Sequence, residues 1–483
     1  MHHHPRRRTA PLKIVAAACV LALLSGCASL SPDGDTASLQ QLTAGRTAGV
    51  QTELVPLQRS QSDIDTDVQA LLRGPVDAQV AVRVALLNNP GLQASRATLG
   101  ISDALRVQAG SLPNPHLALG RFKAGDRLEL ERLLSFNVVG LLMLPWQAQW
   151  QGQQHELAKL QAAQDVIRLA ADTRKAWVTA VAAQQTAAYM ADVKEAAEAS
   201  GELARRMARI GNWSKLQQAR EQLFLADATA QLARAQQTAF SEREKLIRLM
   251  GLWGAQTGFT LVERLPELPK TVTASTDVES QALRERLDLR SAMTESSYVA
   301  AEMGLKTVLG YVDGLSLGYR HDTAFDNTAL TRETRRGWEL ELPLPVFDWG
   351  EARNARAKAL YLQSAARVRD AAVRARSEAR EAYHGYRTAY DLARHYRDEV
   401  VPLRKFINDE LVLRYNGMLA SVWDLLADTR LQITSINSAI EAQRDFWLAE
   451  ADLQTALSGI SPGAMSGMKA GAGAGGAETA AAH

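Results

Sequence analysis

Two long stretches of the chain place apolar residues at alternating steps of three and four. One runs through Tyr361, Ala365, Val368, Ala372, Ala375, Ala379 and Ala382 and continues at Tyr386, Ala389, Ala393, Tyr396, Val400, Leu403 and Ile407. The other reads Ala162, Val166, Leu169, Thr173, Ala176, Ala180, Ala183, Ala187 and Met190. A mean spacing of 3.5 residues held over many heptads predicts helices packed as coiled coils. Trp146–Ile210 contains no proline, and Glu351–Asn416 contains only Pro402, so the pattern predicts long helices over 146–210 and 351–416. Each covers about 65 residues, roughly 100 Å at 1.5 Å per residue. Alanine at the core positions permits close approach of helix axes but buries little area, so extensive packing is required. A plain antiparallel coiled coil shows the same periodicity.

Each long helix is followed by a glycine turn, "RIGNWSKL" at Gly211 and "RYNGMLAS" at Gly417. Glycine after a helix end is expected in the left-handed conformation. Return helices are predicted over 214–250 and 419–457. Ahead of each long helix the period changes to two. Leu128, Leu130, Leu134, Phe136 and Val138 alternate with Glu129, Glu131, Ser135 and Asn137, with Arg132 breaking the apolar side. Trp338, Leu340, Leu342 and Leu344 alternate with Glu339 and Glu341. Partner strands precede them at Leu117 and Leu119 and at Leu315, Leu317 and Tyr319, with a short loop expected at Lys123–Asp126 and a longer one at His321–Glu333. The strand regions are thus about 115–138 and 314–345. Such alternation suits membrane-barrel strands, and equally a sheet half-buried on soluble helices. Four strands cannot close a barrel, and open edges in lipid are prohibitive. A barrel therefore requires two chains for eight strands or three for twelve.

The order of short helices, strands, long helix, turn and return helix occurs twice, which predicts an internal two-fold repeat. "ALLNNPGLQASRATLG" (Ala85–Gly100) echoes "ALRERLDLRSAMTESS" (Ala282–Ser297), and "HLALG" echoes "GLSLG". The expected organisation is a signal peptide at 1–26, an N-terminal segment at 27–75, a first repeat at 76–265, a linker at 266–277, a second repeat at 278–460 and a disordered Gly/Ala-rich tail at 461–483.

The start of the chain explains where the protein goes. Arg6, Arg7, Arg8 and Lys13 precede the apolar run Ile14–Leu24, too short to span a bilayer, and "LSGC" ends at Cys27. This predicts a secretion signal. The pattern resembles a bacterial lipobox, which implies cleavage before Cys27 and acylation of its thiol, and so lipid attachment to the membrane. Only Cys19 and Cys27 are cysteines, so no disulfide framework follows. A net charge of +2 leaves no electrostatic footprint for nucleic acid.

Candidate chemistry adds little. "GLSLG" matches the hydrolase pattern G-x-S-x-G with Ser316 as nucleophile, but that motif needs a strand-to-helix elbow, and here the alternation continues as strand. His116, His155, His321, His384, His395 and His483 form no metal-ligand spacing. No enzyme activity, cofactor or metal is expected.

The stretches Ala85–Gly120, "LPLPVFDWGEARNARAKA" (Leu342–Ala359) and Val400–Gln432 resemble the outer-membrane efflux protein family, the TolC-like outer-membrane factors, and with Cys27 its lipoprotein branch. The resemblance implies a mainly α fold with a membrane β-barrel: a homotrimer with a shared twelve-stranded outer-membrane barrel, four strands per chain. Its long coiled-coil helices would form a periplasmic α-barrel. It implies an outer-membrane location, contact with outer-membrane lipid, and partnership with a periplasmic adaptor and an inner-membrane pump. Pro145 and Pro345 would mark strand-to-helix transitions, and Gly211 and Gly417 the periplasmic tip turns. Asp424 and Asp428 would be candidates for the channel constriction, Asp424 the better match. The alternative function is an outer-membrane-anchored periplasmic coiled-coil scaffold.

Overall fold

The structure of the chain is a computed structural model, which describes residues 29–47, 49–50, 54, 56, 59–272, 277–309, 315–326, 328–341 and 350–462. The expectations for the signal at 1–26, Cys27, Pro345 and most of the tail lie outside these residues.

In chain order the elements are α1 (Thr36–Thr43), α2 (Gln61–Leu71), α3 (Ala78–Asn88), α4 (Pro90–Ala109), β1 (His116–Ala124), β2 (Arg127–Asn137), α5 (Val138–Arg209) and α6 (Lys215–Met250). There follow α7 (Val278–Glu285), α8 (Leu287–Leu309), β3 (Ser316–Asp326), β4 (Thr331–Glu341), α9 (Glu351–His395), a π turn (Tyr396–Val400), α10 (Val401–Asn416) and α11 (Val422–Ser458). The protein is mostly helical, with one four-stranded antiparallel sheet in the order β1-β2-β3-β4. No helix among the described residues is long and apolar enough to cross a membrane.

The elements fall into two compact units, each drawn from both halves of the chain. The first contains Met1–Asp35, Ala97–Lys159 and Ser291–Arg369, and with them the sheet. The second contains Thr36–Arg96, Leu160–Arg290 and Asp370–His483.

Packing in the second unit explains the heptads. Ala375, Ala379, Tyr386 and Ala393 on the α9 stripe are buried, as are Ala162, Val166, Thr173, Ala180 and Met190 on the α5 stripe. α5 also buries residues off that stripe, among them Ile167, Trp177, Val178 and Val181. Its surroundings are therefore more enclosed than a single coiled-coil seam. Trp177 joins Leu246, Ile247 and Met250 of α6, Val84 and Ala85 of α3, Phe259 and Ile440 in one core. Its indole Nε1 donates to the Val76 carbonyl at 2.9 Å, so the buried ring leaves no unmet donor. Tyr386, Tyr390 and Phe446 form a second aromatic core with Ala393 and Leu268.

The "NNPG" stretch has a specific task. Buried Asn88 donates from Nδ2 to the carbonyls of Met250 and Gly251, and Asn89 donates to that of Leu249. These are the orphan acceptors at the end of α6. Gly251 stands at φ 67°, and a Cβ there would meet the Asn88 carbonyl oxygen at 2.8 Å, so only glycine fits.

Five local expectations need correction. The loop expected at His321–Glu333 is mostly strand, because β3 continues to Asp326 and β4 starts at Thr331, their paired backbones outweighing the polar side chains. The first long helix starts at Val138, not Trp146, and Val138 is helical rather than the end of a strand. Pro145 therefore lies inside α5 instead of at the strand-to-helix transition. Proline is tolerated near a helix start because the first N–H groups have no intrahelical acceptor, and the eighth position exceeds that allowance by one turn. The second long helix is not continuous. A π turn covers Tyr396–Val400, just before Pro402, whose missing N–H removes one bond from the ladder. Finally, Gly417 has φ −81°. The left-handed residue of that turn is Met418, at φ 62°.

Candidate functional site

The sheet has two chemically different faces, fixed by register. β1 and β2 pair with His116 opposite Ser135 and Ala124 opposite Arg127. β2 and β3 pair with Leu134 opposite Tyr319, and β3 and β4 with Tyr319 opposite Trp338. Side chains alternate between faces, so all pairs on one face can be read across the four strands.

One face carries Glu129, Glu131, Asp322, Asp326, Glu333, Glu339 and Glu341, with Arg127, Arg320 and Arg335 as its cations. Arg320 is the hub. Its Nε donates to Glu339 at 2.8 Å, and its Nη1 lies 3.5 Å from Glu131. Arg127 lies 3.6 Å from Glu333. The face remains acidic after these pairings. At the hairpin ends Thr328 Oγ1 donates to Asp126 at 3.1 Å, joining the two loops.

Among the described residues of the strands, the other face holds no acidic one. Toward the helix ends of the strands it is apolar: Phe136, Leu317 and Leu340, then Leu117, Leu134, Tyr319 and Trp338. Trp338 is 74% exposed and Leu119 71%. Tyr319 and Trp338 meet edge to face at 5.3 Å between centroids. Leu141, Leu142 and Trp146 in the first turns of α5 are exposed as well. β1 and β4 are open edges of the sheet. Exposed apolar strands with open edges are a template for pairing with more chain.

The helical turns are the second part of the site. At the first, Gly211 adopts φ 81° and Ser214 caps α6 in a capping box: its Oγ accepts from the Gln217 N–H at 3.2 Å, and Gln217 Oε1 accepts from the Ser214 N–H at 2.7 Å. At the second, Ser421 Oγ accepts from the Asp424 N–H at 3.2 Å, and Asp424 Oδ2 accepts from the Ser421 N–H at 3.0 Å. Ser421 Oγ also donates to Asp424 Oδ2 at 2.7 Å, and this bond, with the one from the Ser421 N–H, holds the exposed Asp424 carboxyl below the usual carboxylate range. Asp428 is differently placed. It is buried, and Oδ1 is 3.4 Å from Arg404 Nη1. Its charge is answered within the chain, which leaves Asp424 as the exposed carboxylate of this turn.

Three buried charge networks escaped the sequence reading. Glu221 on α6 accepts from Ser200 at 2.7 Å and pairs with Arg430 at 3.0 Å. It lies one heptad before buried Ala228, and that spacing was the signal available for it. Arg286 is held by both oxygens of Asp288 and by Glu378 at 2.7 Å. In the first unit Asp35, Asp103 and His155 bring ligand atoms within 4.8 Å of one another, a grouping that could hold a metal ion. Their other partners say otherwise. Asp103 accepts from Arg106 at 2.9 and 2.6 Å and from the Ser31 N–H at 2.8 Å. Asp35 lies 2.9 Å from His155 Nε2 and 3.5 Å from Lys159. Burial pushes the His155 imidazole below its ordinary value. Burial would raise Asp103, yet Ser31 and Arg106 outweigh it and hold the carboxyl low. The cations that a metal would replace are already built in, so this is an ion-pair network.

No protein-family model matches the chain, and no curated protein sequence matches it. Solved structures do. The chain is similar to a membrane protein from Pseudomonas aeruginosa, with a TM-score of 0.67 at 18% identity, covering 79% of this chain and 93% of that one. It is similar to the outer-membrane channel OprN, at 0.63 and 18%, covering 86% and 96%. It is similar to the CmeC outer membrane channel of Campylobacter jejuni, at 0.62 and 14%, covering 82% and 85%. The architecture expected from the family resemblance, long helices with a small antiparallel sheet, is present, and the chain has the fold of these outer-membrane channels.

Proposed function

We propose that the protein is the outer-membrane component of a tripartite efflux system, a passive exit duct without catalytic activity. Three chains share one twelve-stranded barrel, each giving the four strands of its sheet, and the long helices line a periplasmic tube. A periplasmic adaptor and an inner-membrane pump deliver the cargo, and acylated Cys27 adds a lipid anchor. On this reading the two halves of the chain are copies of one unit, and the turns at Gly211 and Gly417 sit at the periplasmic tip. Asp424, repeated three times around the axis, forms an acidic ring that favours cations.

The observation that carries the reading is the sheet: four antiparallel strands with two open edges, one face charged and mostly acidic, the other apolar toward the helix ends of the strands and basic beyond them. In lipid, open edges are prohibitive and apolar surface is favoured. Closure with further copies resolves both, turning the charged face inward to line water. A periplasmic scaffold would have no use for an exposed Trp338, Leu340 and Leu117.

The test is the detergent-corrected mass of the protein extracted from the outer membrane, followed by conductance in planar bilayers. A mass three times that of the mature chain, with discrete conductance steps, is the expected result. A folded monomer without conductance overturns the duct.

A further inference from the structure

The geometry points to a binding surface for the phosphate groups of membrane lipids on the outward face of the sheet, from the middle of the strands to the hairpin ends. Beyond the apolar rows, that face carries Arg121, Lys123, Arg132, Arg332 and Arg336, together with His321. The register sets them in three successive rows: Arg132, His321 and Arg336; then Arg121; then Lys123 and Arg332. No carboxylate shares the face, while every acidic residue of the four strands lies on the opposite one. β4 is exposed along its whole length, Arg332 and Arg336 included. Arg332 stacks on the Phe325 ring, its guanidinium carbon 5.5 Å from the centroid, so the cation is held over an apolar base.

This inference rests on the membrane reading of the sheet. A lipid-facing cation is costly at the bilayer midplane and tolerated near the interface. Past the other end of the strands, Leu141, Leu142 and Trp146 in the first turns of α5 are exposed apolar residues as well. A bilayer seated on these residues avoids the midplane cost and brings the basic rows to headgroup level. There, guanidinium groups meet phosphate in forked, charge-assisted pairs, and residues beyond the Tyr319–Trp338 pair stand where an aromatic girdle gives way to headgroups. The occupant is the phosphorylated lipid of the leaflet that the hairpin ends reach.

The test uses the full chain in neutral detergent, titrated with diphosphoryl lipid A and with the same lipid stripped of phosphate, bound lipid being counted by native mass spectrometry. The wild-type protein should prefer the phosphorylated form. R332Q/R336Q and R121Q/K123Q should each weaken that preference by about tenfold or more, and R335Q, on the opposite face, should leave it intact. Equal binding of the two lipids, or a preference that survives both double variants, overturns the proposal. Inorganic phosphate added in excess should not displace the lipid; complete displacement would reassign the surface to free phosphate and also overturn it. The mass of each variant is read in the same spectra. A monomer that still prefers phosphorylated lipid would defeat the shared barrel and not this surface, whereas a trimer without preference would do the reverse.

Discussion

The two helical turns, at Gly211 and at Gly417, use one device and leave different surfaces. Both return helices start at a serine in a capping box, Ser214 with Gln217 and Ser421 with Asp424. The first partner is neutral and the second is charged. The left-handed position also differs: Gly211 occupies it at the first turn, at φ 81°, and Met418 at the second, at φ 62°. Met418 is 94% exposed, so the second turn accepts backbone strain at a residue that gains nothing from burial. Equivalent cap geometry has thus been reached with unequal charge and unequal strain. The cap geometry is the shared structural part, and on the proposed reading the differences in charge and strain are free to serve channel opening.

The strongest challenge to the comparison lies just inside the turns, where each holds a buried carboxylate. Glu221 is paired with Arg430 and Asp428 with Arg404. Arg430→Ala should lower stability by about 3 kcal/mol, because an unpaired buried carboxylate remains; thermal unfolding followed by far-UV circular dichroism measures it. Arg404→Ala should cost less, since its contact is longer. Equal losses would mean that the two turns are supported alike.

Backbone strain gives the next effect. Gly211→Ala should destabilise by about 1 kcal/mol, whereas Gly417→Ala, at φ −81°, should change stability by less than about 0.5 kcal/mol. Met418→Gly should stabilise by up to about 1 kcal/mol. Urea unfolding midpoints of the three variants decide this, and a Gly417→Ala loss as large as that of Gly211→Ala would contradict the assignment of the strain to Met418.

The caps come third. Ser214→Ala and Ser421→Ala should each cost about 1 kcal/mol near neutral pH. They should part company in acid. The Asp424 carboxyl is held below its unfolded value, so its contribution is present above the unfolded carboxylate range and is lost as pH falls through the lower folded value. The Ser421 cap should weaken in acid while the Ser214 cap, with its neutral glutamine, does not. Melting temperatures across that range check the difference.

The smallest effect on stability and the most direct on function is Asp424→Asn. On the proposed reading it keeps the fold and reduces the cation preference of the channel a few-fold, measured as the reversal potential in a salt gradient. Unchanged selectivity would remove Asp424 from the pore.

Much of this was legible along the chain. The 3.5-residue period marked the long helices and part of what they bury, since a coiled-coil seam repeats locally, although Tyr361 and Leu403 on the second stripe are exposed. The period of two marked part of all four strands, but His321–Asp326 and Thr331–Glu333 read as loop because their polar residues break the alternation, and they are strand. Less legible were the points where local rules compete. Pro145 read as a boundary because proline usually ends a helix pattern, yet the helix begins ahead of it. Gly417 read as the left-handed residue because glycine is the usual occupant. The π turn before Pro402 left no trace in the apolar spacing.

What the sequence by itself determined is the long helices with their return helices, the places of the four strands, the two turns and the alternation of Glu129, Glu131, Glu339 and Glu341 with apolar residues. Each follows from interactions within a few residues, where side-chain period and backbone preference act directly. Only the tertiary structure decided that β2 pairs with β3 and so joins the two hairpins into one sheet, that Asp428 is answered by Arg404 while Asp424 stays exposed, and that Glu221, Arg286 and His155 are buried with partners. Those outcomes depend on residues far apart in the chain meeting across packed elements. Burial then sets whether a charge is paired or left to the solvent, and no local pattern encodes that meeting.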